Sequence, residues 1–345
     1  MNDEDIDESF RSELYRVPPQ RVEFSHRLDT GMTPASVFNG SVHQFQGKLF
    51  AHALAHEANV GCTGYHLANW WRRTHSEFPE QPLKEEWFLL FEGRLPKIPI
   101  QNELTRLYPE LEHILKSPLW FSLSESYANG KYWDSCAETI LVNNSTLGRF
   151  DASLIVRLCG RPCWSRLAYI IILLRSRTPK FAKHRRWLRD NFLSYLCLSC
   201  MSPPLFLVRH ELFSLLDKLY SRKRFGNEGV ANWPSSIDLF DWELMSLKTA
   251  AAASLAFHGW ISHPEDEEAP TLIWVLMQEK ETLQRLLLFS MMHHKYPMEN
   301  DVKVSLQRSK QELILTSVAM DYSKTPPMGR YLSRLGCDQR DRNPQ

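Results

Sequence analysis

His66, Asn69 and Arg73 fall at i, i+3 and i+7, the spacing that gathers side chains on one face of a helix. Arg72 stands beside them, so the face is polar and cationic. A longer basic run follows at 175–189, where Arg175, Arg177, Lys180, Lys183, Arg185, Arg186 and Arg189 stand with no acid among them and Trp187 in their midst. Contact with a phosphate backbone is its natural chemistry, with a strong salt dependence as the signature. A charged helix surface answered by acids elsewhere, such as those at 265–268, would read the same way. Arg222, Lys223 and Arg224 form a smaller group at a helix end, where cations meet the helix dipole favourably.

Metal chemistry is weaker. Cys159 and Cys163, with Cys197 and Cys200, supply four thiols, but both pairs lie in apolar helical runs rather than on the glycine-rich turns of zinc knuckles. Buried thiols explain them better, and no metal is expected. His52 and His56 precede Glu57 in the order H-x-x-x-H-E, which places the acid outside the pair and departs from the metalloprotease pattern. There is no glycine-rich nucleotide loop, no nucleophile elbow and no acidic nuclease core. The expectation is a non-enzymatic protein without a cofactor.

The stretch at 54–73 positions the first group. Leu54, Ala55 and Ala58, then Leu67, Trp70 and Thr74, give two apolar stripes at helical spacing. Asn59 tolerates the left-handed conformation, and Gly61 and Gly64 bracket Cys62 and Thr63 as turn formers. Two short helices around a tight turn follow. The segment resembles the helix-turn-helix of the Cro/C1 repressor type: Leu54, Ala55, Ala58 and Val60 match its L-A-x-x-A-x-V opening, and Leu67 and Trp70 its second half. Asn59 replaces the usual turn glycine, and the second half arrives about two residues late, so a longer turn is expected. The resemblance implies that Tyr65, His66, Asn69, Arg72 and Arg73, with Thr63 at the turn, face a DNA major groove. Asn69 would suit an adenine edge, and the arginines guanine or phosphate. It also implies dimeric binding, although no heptad seam marks a dimer interface. The same residues fit a hairpin that contacts protein, or one that is only structural. A second likeness, to uncharacterised bacterial proteins that open with such a segment, rests on Gly93, Pro96, Pro109, Pro118, Leu119 and Trp120.

Composition sets the frame. The 345 residues exceed one average domain, and 41 basic against 40 acidic side chains leave a net charge of +1, so any nucleic-acid footprint must be local. Glycine, at 14 of 345, falls well below the usual ~7% and disfavours many-turned β architectures. The 11 tryptophans imply thick aromatic packing. Seven cysteines without a secretion signal fit reduced thiols. The longest apolar run, 167–174, is far short of a ~20-residue membrane span. A soluble, cytoplasmic, non-membrane protein is expected.

The predicted fold is all-α: a helix-turn-helix-like domain over 31–126, then a larger irregular multi-helix domain over 127–323. An acidic disordered tail (1–30) and a disordered basic tail (324–345) flank them. In the second domain helices are predicted near 131–143, 148–158, 163–177, 181–201, 204–224, 236–260, 271–294 and 302–321, broken by glycine and proline, with strands nearly absent. The function that fits is DNA binding by a transcriptional regulator or a mobile-element or defence accessory factor, with duplex DNA as partner. The alternative is an all-helical interaction subunit of a larger assembly, with protein partners or a second copy of itself.

Overall fold

α1 (Gly40–Glu57) carries buried residues around most of its circumference, among them Phe45, Leu49, Phe50 and Leu54. A helix that is apolar nearly all round belongs inside. A computed structural model describes residues 40–79, 81–125, 130–298, 300–321 and 323–324; the two expected tails lie outside the described residues except at 324. Asn59 takes the left-handed conformation (φ 51°) just after α1 and turns the chain. Residues 58–63 then lead into α2 (Gly64–Thr74), followed by α3 (Lys84–Phe91), α4 (Ile98–Leu107), α5 (Pro109–Leu115) and α6 (Leu119–Leu123). α3 packs against both α1 and α2, and α1 also lies on α5 and α6. Where α1 passes the end of α3, a Cβ on Gly47 would fall 2.1 Å from the Gly93 carbonyl oxygen, so the two backbones touch.

The predicted helix over 131–143 is corrected. α7 (Gly130–Glu138) stops, and β1 (Ile140–Val142) turns through Asn143 and Asn144 into β2 (Ser145–Thr146). Both asparagines have positive φ, 51° and 61°. Val142 faces Ser145 across this two-residue loop, the geometry of a type I′ hairpin, which needs left-handed residues at both turn positions.

Next come α8 (Ala152–Cys159), capped by Asp151 accepting from the Leu154 N–H at 3.1 Å, and α9 (Trp164–Arg175). Every residue of α9 from Leu167 to Arg175 is buried. It is the central helix of this part, packed by α6, α7, α8 and α10 (Ala182–Ser199). The predicted helix over 204–224 begins as a 3-10 turn (Leu205–Val208) and becomes α11 (Arg209–Ser221). α12 (Ile237–Ser246) and α13 (Ala253–Phe257) form one helix joined by a π turn, Leu247–Ala252.

The predicted 271–294 helix divides at Glu279 into α14 (Ala269–Gln278) and α15 (Lys280–Met291). α16 (Asn300–Leu315) ends before the expected 321, and β3 (Val318–Met320) pairs antiparallel with β1, Leu141 opposite Ala319. The sheet order is β2-β1-β3. Among the described residues the fold is therefore mostly helical, as expected, with one small antiparallel sheet. One apolar cluster of buried side chains runs from Val42 to Met320. α1 packs on α11, and Lys48 pairs with Glu211 at 2.5 Å. Among the described residues no helix is long and apolar enough to cross a membrane.

Candidate nucleic-acid interface

α2 is capped by Thr63, whose Oγ1 accepts the His66 backbone N–H at 3.3 Å. The same hydroxyl lies 2.7 Å from His66 Nδ1. Thr63 thus both caps the helix and orients His66.

The inner face of α2 is Gly64, Leu67, Ala68 and Trp71, all buried. This corrects the expected stripe of Leu67, Trp70 and Thr74 by one residue. Trp71 stacks on His75 at 4.1 Å and meets Trp87 at 5.5 Å, whereas Trp70 is half-buried against Tyr108 and Thr74 is exposed. Gly64 permits the approach of α2 to α3, because a Cβ there would sit 2.7 Å from the Phe88 backbone nitrogen.

The opposite face carries the expected polar set. Tyr65, His66, Arg72 and Arg73 are exposed and Asn69 is half-exposed. Among the described residues, neither Arg72 nor Arg73 has an ion pair or a hydrogen bond from its side chain. Two neighbours went unnoticed in the sequence. Lys84 Nζ lies 5.4 Å over the Tyr65 ring, and Phe88, on α3, is 44% exposed. Only the close passage at Gly64 ties them to this face, and it is a three-dimensional fact.

The basic run divides. Arg175 is 3% exposed, donates from Nη1 to the carbonyls of Ser122 (2.7 Å) and Ser124 (2.8 Å), and lies 3.8 Å over the Trp133 ring. Burial, aided by Arg224, lowers its pKa to about 9. Arg185 is also buried, donating to the Thr178 carbonyl at 2.8 Å and to Ser176 Oγ at 3.2 Å. Arg189 pairs with Glu228 and donates to the Phe225 carbonyl. These three are corrections: they brace the interior or a neighbouring loop and present no free cation to a phosphate.

Arg177, Lys180, Lys183 and Arg186 remain exposed, without ion pairs among the described residues. Glu265, Glu267 and Glu268 are engaged by Lys248, Arg161 and Lys310 instead. Arg222 pairs with Glu125 at the end of α11.

Cys159, Cys197 and Cys200 are buried, and burial pushes the Cys200 thiol up to about 12. Cys163 is half-buried with its Sγ 3.1 Å from Ser165 Oγ. Among the described residues no group of three or more His, Cys, Asp or Glu side chains is placed to hold a metal ion. His52 packs edge-on against Phe91 at 5.1 Å, while His56 is exposed.

What the fold and this face define is a mostly helical protein that presents a polar, cationic helix face on an aromatic base. Comparison with protein-family models, curated proteins and solved structures returns no match.

Proposed function

We propose that this chain binds duplex DNA, without catalysing a reaction, through the outer face of α2, as a regulator or as an accessory factor of a mobile element or defence system. The observation that carries the reading is that His66, Asn69, Arg72 and Arg73 stand on one side of a helix pinned from behind by Leu67 and Trp71. A rigid helix with an amide and two guanidinium groups suits the major groove, where Asn matches adenine and Arg matches guanine or phosphate. Arg177, Lys180, Lys183 and Arg186 supply further phosphate contacts. Because the chain carries a net charge of only +1, these local groups must provide the attraction.

Electrophoretic mobility shift of duplex DNA at two salt concentrations tests this. Wild type should retain the duplex at low salt, and Arg72→Ala with Arg73→Ala should weaken retention by roughly ten-fold or more. The pair Lys183→Ala and Arg186→Ala should lower the salt slope by about 2. No retention at low salt, or retention unchanged in the α2 variant, would reject the proposal. A protein-contact role at the same face is the second reading, favoured by Tyr65 (52% exposed) and Phe88 beside it. It is the one left standing if DNA is not retained and Phe88→Ala abolishes capture of a protein partner.

A further inference from the structure

The helix running through α12, the π turn and α13 buries Phe240, Leu244, Ala252 and Leu255 on one side. Its other side is apolar too. Leu239 (49%), Trp242 (64%), Met245 (42%) and Phe257 (37%) are exposed, with Ala250 and Ala253 exposed between them. Thr249 is the exposed polar residue in its middle, and Lys248 beside it is held by Glu265. An exposed, mostly apolar stripe led by a tryptophan marks an association surface. The support beneath it is firm: Asp241 accepts from Arg209 Nε at 2.8 Å and lies 2.7 Å from His210 Nε2, tying α12 to α11.

The two ends of the stripe differ in charge. Asp238 and Glu243 flank the Trp242 end with no ion pair among the described residues. At the other end Lys295 borders Phe257, its Nζ donating to the Phe257 carbonyl at 2.7 Å and lying 5.2 Å from the ring. Bulk is divided in the same way, with large side chains at the acidic half and alanines in the middle.

We infer that this stripe binds a second copy of the chain, antiparallel, about a two-fold axis crossing the helix near Leu247 and Lys248. That axis sets Trp242 over Ala253 of the other copy and Met245 over Ala250, large against small. It brings Asp238 to the end that Lys295 borders. An isologous contact of this kind is self-complementary in both shape and charge. A single helix stripe is a small footprint beside the ~800 Å² per partner of a standard interface, so the dimer forms reversibly and with concentration. The inference is independent of the α2 face.

Sedimentation velocity of the full chain over a range of concentrations tests it. Wild type should pass from monomer to dimer. Trp242→Glu should raise the dissociation constant at least about thirty-fold, as the loss of a central aromatic anchor does. At concentrations where the wild type is monomeric its thermal midpoint should stay at the wild-type value, because the side chain is exposed. Ala253→Arg, at the position opposite, should act equally. Asp238→Lys should weaken the dimer, and adding Lys295→Glu should restore it. A wild type that stays monomeric at every concentration overturns the proposal, as does a dimer indifferent to Trp242→Glu and Ala253→Arg. So does a different protein bound at Trp242 to a chain that remains monomeric.

Discussion

Arg175→Ala should cost stability and leave DNA retention alone, the reverse of what the sequence suggests for a cation in a basic run. The guanidinium makes two hydrogen bonds to main-chain carbonyls, at 2.7 and 2.8 Å, and bonds from a charged donor contribute ~1.5–3 kcal/mol each. Its face-on contact with Trp133 at 3.8 Å adds ~2 kcal/mol in a desolvated setting. Against this stands the burial of the charge. The fall in pKa from 12.5 to about 9 corresponds to roughly 5 kcal/mol at ~1.4 kcal/mol per unit, so the wild-type cation is close to break-even or modestly favourable. Truncation does not simply return that cost, because the carbonyls of Ser122 and Ser124 lose this donor, at ~1–3 kcal/mol each.

A net loss of ~3 kcal/mol follows for Arg175→Ala, in the range seen when one member of a buried polar group is removed. For a chain of this size that is a fall of roughly 6 °C in thermal midpoint. Arg175→Lys keeps the charge but not the fork that reaches two carbonyls, and should recover less than half of it. Thermal unfolding followed by circular dichroism, alongside mobility shift at two salt concentrations, measures both quantities. A midpoint within about 1 °C of wild type, or a salt slope reduced by about 1 as for a phosphate ligand, would refute the reasoning.

Two other predictions concern the packing and the pH response. Gly64→Ala places a Cβ 2.7 Å from the Phe88 backbone nitrogen, and backbone cannot yield as a side chain does. α2 must therefore lift from α3, at ~1–3 kcal/mol, seen as a lower thermal midpoint and weaker duplex retention together. Burial lowers the pKa values of His52, His75 and His184 below the ordinary 6.5, with Arg185 adding to it at His184. Each binds its proton less readily folded than unfolded, so below pH 6.5 the unfolded chain takes up protons first and stability falls as pH drops toward the folded-state values. Above pH 6.5 these groups leave stability flat. His184 is fully buried between Phe150 and Phe181, with no hydrogen-bond partner at either ring nitrogen among the described residues. His184→Phe should accordingly flatten part of that acid limb in thermal midpoints measured from pH 7.5 to 5.5, and an unchanged limb would refute its part in it.

The polar face of α2 was legible because helical period alone sorts Tyr65, His66, Asn69, Arg72 and Arg73 from Leu67. Which tryptophan lies inward was not, since Trp70 and Trp71 are adjacent and either completes a stripe with Leu67; packing on Trp87 and Phe78 selects Trp71. The hairpin left a readable trace, two asparagines between Val142 and Ser145. But strands this short hardly alternate, and the partner of β1 is remote: Ser317 donates to Asn143 Oδ1 across 174 residues of chain. The basic run misled for a related reason. Unbroken charge reads as surface, yet the apolar stretch at 167–174 is a helix buried on every side, and a helix enclosed all round carries its last residue inside with it. Arg175 therefore had to find carbonyls, and Arg185, one turn along from Phe181, had to do the same. What residue types cannot report is which end of a helix the core encloses. For the same reason Trp242, in a sequence that would suit an interior helix equally well, is found at the surface, 64% exposed.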